Sequence, residues 1–76
     1  MKLEERKGRY FVYERGLLRS YKSALSDGIA YGASDDLSEA MGLLDVVLDY
    51  GLNGFVYDVE RGAVRDPVHS EGWIEL

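Results

Sequence analysis

From Asp36 to Tyr50, the residues Leu37, Ala40, Met41, Leu44, Val47 and Leu48 recur at intervals that place them on one face of a helix. Both ends of that segment are punctuated. Ser34, Asp35 and Asp36 all carry side chains able to cap a helix N-terminus, and Glu39, three residues after Asp36, completes a capping box with Asp in the usual Ser or Thr place. Gly51 stands where a left-handed residue ends a helix, and Leu52 can fold back onto Val46 or Val47 as in a Schellman motif. Such a helix has one apolar stripe to bury. In a chain of 76 residues with no cysteine, neither a disulfide nor a thiolate-bound metal can help. The stripe has to be covered by strands of the same small domain.

The strands are marked by their turns. Tyr13-Glu14-Arg15-Gly16 and Val59-Glu60-Arg61-Gly62 each run from β-prone residues into Glu-Arg-Gly, which suits a type I turn with glycine in the left-handed position. Shared turn chemistry, rather than duplication, accounts for the parallel. Ser26-Asp27-Gly28 is a third turn signal. Strands are expected near residues 9–14, 17–24, 29–33, 55–60 and 63–66. The segment Leu17–Leu25 is ambiguous, because Leu17, Leu18, Tyr21, Ala24 and Leu25 also fit helical spacing; the flanking glycine turns favour a strand. Residues 1–7 are expected as a flexible arm. Residues 67–76 are expected to be mostly irregular, with Trp73-Ile74 pinned back on the body or adding an edge strand. The fold class expected is therefore α+β. It comprises a small antiparallel sheet in the order βββαββ, with the helix packed on one face and the other face partly open to solvent.

Charge divides the chain. Residues 1–22 hold seven cations against three anions, whereas residues 23–76 hold two cations, Arg61 and Arg65, against eleven anions. No run approaches the roughly 20 apolar residues that span a bilayer. Met1 to Lys7 is charged rather than apolar, unlike a signal peptide. The chain reads as a whole, unprocessed cytoplasmic domain, with no membrane among its partners.

Catalytic signatures are thin. His69 is the single histidine, beside Pro67 and Ser70, and reads as a surface-loop residue. The serines lack the context of a nucleophile elbow. Gly28-Ile29-Ala30-Tyr31-Gly32 has neither dinucleotide-binding nor P-loop spacing. Asp35, Asp36 and Glu39 could offer oxygens to a hard cation, but capping and the helix dipole explain them without one. No enzyme activity, cofactor or metal is expected.

Binding is the expected mode of action. The helix carries Asp35, Asp36, Glu39, Asp45 and Asp49 and no lysine or arginine, so it forgoes i,i+4 ion pairs that are easily obtained. Asp49 also stands in the last turn, where the macrodipole disfavours an anion. Tyrosine, which offers large contact area with a polar tip, occurs six times. The expected function is that of a protein-binding module, an inhibitor or regulator. Its contact residues would be Asp35, Asp36, Glu39, Asp45, Asp49, Tyr10, Tyr13 and Tyr31, and its partner a basic protein, for instance one that handles nucleic acid. Small, acidic, stoichiometric antagonists of the kind phages encode share this general character. One alternative is direct nucleic-acid binding through the basic, aromatic segment 6–22, with Arg9, Arg15, Arg19 and Lys22 on phosphates. Another is a structural homodimer.

Overall fold

Among residues 8–16, 20–28 and 30–76, which the computed structural model describes, the chain forms five strands and two helices. Their order is β1 (Tyr10–Glu14), α1 (Tyr21–Asp27), β2 (Ala30–Ser34), α2 (Leu37–Asp49), β3 (Gly54–Asp58), β4 (Ala63–Arg65) and β5 (Trp73–Glu75). The strands join in one sheet in the order β2-β1-β3-β4-β5, with every neighbouring pair antiparallel. The class is the α+β one that the patterning implies, with α2 packed on one face of an antiparallel sheet.

Alternation along the two central strands feeds two separate cores. Val12 and Val56, paired in register, point toward α2 and pack with Ala40, Leu44 and Val47. Phe11, Tyr13 and Phe55 point the other way and pack with Ala24, Ala30 and Val64. Tyr13 stacks on Phe55 at 5.8 Å between ring centroids, and Tyr21 meets Phe55 edge-on at 5.2 Å. Both faces of the β1–β3 pair are therefore covered.

Helix α2 begins and ends as its residues dictate. The Asp36 side chain accepts from the Ser38 N–H at 2.9 Å. The reciprocal half of the capping box is relayed: Ser34 Oγ accepts from the Asp36 N–H and donates to Glu39 Oε1, each at 3.0 Å. At the far end Gly51 has φ 81°, its N–H donates to the Leu48 carbonyl at 2.9 Å, and the Leu52 N–H donates to the Val47 carbonyl at 3.4 Å. Both bonds of the Schellman motif are made.

Three local expectations need correction or refinement. Residues 21–27 of the expected strand 17–24 and its following turn form helix α1, while residues 17–19 lie outside the described set, as do the arm 1–7 and Ile29. Ser20 decides the matter locally, because its Oγ accepts from the Ser23 N–H at 3.1 Å and so caps the helix. The i, i+3, i+4 set Tyr21, Ala24 and Leu25 then lands on the aromatic core. As a result β1 makes no hairpin about Gly16 with a strand at 21–24; β1 pairs with β2 and β3 instead. The face opposite α2, expected to be partly open, is roofed in part by α1. The fifth strand comes from Trp73–Glu75, the edge-strand option for the tail. By contrast, the Glu60-Arg61-Gly62 hairpin forms between β3 and β4 with Gly62 at φ 68°.

Leu44 is fully buried where α2 meets β1 and β3. Leu44→Ala is expected to cost about 2–5 kcal/mol, read as a lower urea midpoint at unchanged slope. A loss well under 1 kcal/mol would mean that α2 is not the roof of this core.

Candidate functional site

The outward arc of α2 carries acidic residues and no basic ones. Ser38, Glu39, Gly42, Asp45, Val46 and Asp49 are exposed along it, and Asp35, Asp36 and Tyr50 extend it at either end. Among the described residues Asp35, Asp45 and Asp49 form no ion pair. Among the described residues Asp36 and Glu39 are engaged with the capping groups of Ser38 and Ser34. All five acidic residues singled out from sequence thus lie on α2 or immediately before it and face solvent.

Arg9, Arg15 and Arg61 are engaged elsewhere. Arg9 grips the buried Asp58 with both prongs, Nε to Oδ1 at 2.8 Å and Nη2 to Oδ2 at 2.9 Å. Asp58 Oδ1 also accepts from the Glu60 and Arg61 N–H groups at 3.0 and 3.2 Å, so one carboxylate holds β1 and organises the β3–β4 turn. This guanidinium fork holds the Asp58 carboxyl below its ordinary value and pushes the Arg9 guanidinium up. On the opposite face the buried Asp66 accepts from Tyr21 Oη at 2.8 Å and lies 3.8 Å from Arg15 Nη1. Burial first, and Asp66 second, raise the Tyr21 phenol above its ordinary value of 10.0. Arg61 Nε pairs with Glu75 at 3.0 Å. Of the alternative phosphate-binding set, Arg9 and Arg15 are therefore taken, Lys22 is exposed, and Arg19 lies outside the described residues.

The tyrosines divide. Tyr13 is only 2% exposed, and its place in the contact set is corrected: it faces away from α2, as alternation requires, but lies in the core that α1 helps to close. Tyr10 is half-buried on α2's side of the sheet, 6.3 Å from the Trp73 ring. Tyr31 is the extra residue of a β-bulge, since Val12 pairs with Gly32 and Tyr13 with Ala30. It is 47% exposed and donates to Glu14 Oε1 at 2.7 Å. Tyr50 is 80% exposed at the C-terminal end of α2 and was missed as a contact residue, because sequence reading spent it on the helix boundary.

Two further groupings escape sequence reading, the first because it joins distant segments and the second because Asp66 is oriented only by its burial. Arg61 and Arg65 lie 5.4 and 5.9 Å from the Trp73 ring centre, and Arg9 lies 5.2 Å from that of Tyr10. Asp58, Glu60 and Glu75 sit among these cations, so the cluster carries no net positive field. His69 Nδ1 lies 2.9 Å from Asp66 Oδ2, the orienting half of a base–carboxylate dyad; no side-chain hydroxyl among the described residues hydrogen-bonds that ring. Among the described residues no group of histidine, aspartate and glutamate side chains is arranged to hold a metal ion, and no helix is long and apolar enough to cross a membrane.

The Asp58 pair has a pH signature. Its folded-state pKa lies below the ordinary 3.8, so its stabilisation is fully present above that value and is lost as pH falls through the lower, folded-state pKa. Asp58→Asn keeps an acceptor for the turn but removes the charge. The wild type is expected to be the more stable at pH 7, with the gap closing as pH falls below the ordinary 3.8 in urea titrations. A gap that stays constant over that range would rule out the ion pair as its source.

Comparison of the chain with protein-family models, with curated proteins and with solved structures finds no match.

Proposed function

We propose that this chain is a non-enzymatic, cytoplasmic protein-binding module that docks the outer face of α2 on a basic protein and acts by occupying that protein's binding surface. The supporting observation is the distribution of charge. Arg9, Arg15 and Arg61 are engaged by Asp58, Asp66 and Glu75, while Asp35, Asp45 and Asp49 have no cationic partner among the described residues. An anionic surface of this kind speeds encounter with a basic partner and selects against acidic ones more than it adds affinity. A protein that binds nucleic acid is one source of such a partner, since phosphate contacts require lysine and arginine. Tyr31 and Tyr50 add exposed aromatic area to the same reading.

Direct nucleic-acid binding has less support, because Arg9 and Arg15 are already held by buried carboxylates. A homodimer would use the β2 or β5 edge of the sheet.

Affinity capture at physiological salt, with and without nuclease treatment, tests the proposal. The wild type is expected to retain a basic protein after nuclease treatment, and Asp45→Lys with Asp49→Lys to lose it. Retention that vanishes with nuclease would favour the nucleic-acid reading. Retention indifferent to both lysines would end the acidic-face proposal. Light scattering reads the dimer directly.

A further inference from the structure

Folding accounts for the inner face of α2 but not for its outer one. Ser38, Gly42, Val46 and Tyr50 follow each other at four-residue steps and form a single exposed row. At about 100° per residue, Gly42 falls near the middle of the outward arc, with Asp45 and Asp49 along one side and Glu39 along the other. Val46 is 49% exposed and Tyr50 80%, so the row grows from small to aromatic along its length. Among the described residues nothing within 4 Å would meet a Cβ added at Gly42, and its backbone is ordinary helix. Glycine in a helix interior is destabilising relative to alanine, and no contact among the described residues requires it here.

A row of this kind is what a second helix packs on. Ridges and grooves along i±4 rows interlock when helices cross, and a residue without a side chain lets the two backbones approach. The apolar pair Val46 and Tyr50 supplies area to bury beside that gap. Asp45 and Asp49 supply charge one turn apart, the spacing at which lysines or arginines stand on another helix. Cations placed there would also offset the carboxyl-terminal end of the α2 dipole, which Asp49 aggravates.

We infer that the row Ser38–Gly42–Val46–Tyr50 is the seat of a basic amphipathic helix contributed by the partner, with its apolar seam crossing at Gly42 and its cations over Asp45 and Asp49. This rests on the docking role proposed for α2 and names the element it receives. Binding in this mode is helix against helix, with charge setting the register and the exposed apolar pair supplying the buried area.

The test uses the full chain and a synthetic Leu/Lys peptide of about 15–20 residues with helical apolar spacing, alongside a scrambled isomer of the same composition. The wild type is expected to bind the amphipathic peptide at least about tenfold more tightly than the isomer. Gly42→Gln and Val46→Ser should each weaken that binding about tenfold. Gly42→Ala should raise Tm by about 4–8 °C, and Gly42→Gln should not lower it, which separates lost binding from lost folding. Equal affinity for the two peptides, or loss on charge reversal at Asp45 and Asp49 but not at Gly42 or Val46, would overturn the helix-docking inference. In that event, capture of a basic protein in the experiment above would leave the docking role standing; failure of that capture marks the failure of the role itself.

Discussion

The β1–β3 pair is the constraint on which everything else depends. Its side chains alternate between two apolar layers, Val12 and Val56 toward one face and Phe11, Tyr13 and Phe55 toward the other. A pair of strands apolar on both sides has to be covered on both sides, because each large side chain left in water forgoes roughly 1.5–3 kcal/mol. Helix α2 covers the valine layer. The aromatic layer calls for a second cover, and α1, only seven residues long, provides part of it by placing Ala24 flat against the rings and Tyr21 edge-on to Phe55. The other strands then add outward from this pair, β2 on one side and β4 with β5 on the other.

Burial also sorts the charges. Asp58 and Asp66 are each only 2% exposed, and a carboxylate removed from water needs hydrogen-bonding or cationic partners. Asp58 obtains its partners from Arg9 and two turn amides, and Asp66 from Tyr21, His69 and Arg15. The acids on α2 face water, which solvates them without help, so no comparable demand draws a cation to them. The outer face of α2 is acidic because its own residues include no cation, and the two buried carboxylates engage Arg9 and Arg15 away from it. An exposed glycine and two exposed apolar side chains on that same face depart from what helix stability alone would select, and such departures are where function is expected to reside.

Much of the architecture was legible because it rests on local physics. The periodicity from Leu37 to Leu48, the cap at Asp36 and the stop at Gly51 each act over a single turn of backbone, and the helix they imply is there with both Schellman bonds made. The Glu60-Arg61-Gly62 turn is equally local. Leu17–Leu25 was not settled in this way, since a short apolar run satisfies strand and helix alike. Ser20 as a cap was the signal that could have decided it. Without α1, Tyr13 looked available to a partner; with α1 in place it is core.

By itself the sequence determined the class of the fold, the position and bounds of its main helix, and the acidity of that helix's outward side, because each follows from residues within a few positions of one another. Only the tertiary structure decided which carboxylates are buried and which arginines they hold. It also made Tyr13 part of the interior, and drew Trp73 to an edge strand beside Arg65. These outcomes join residues outside one another's local stretch of chain, as far as Arg9 from Asp58, and their energies come from desolvation and packing that exist only once the two faces of the sheet have been closed.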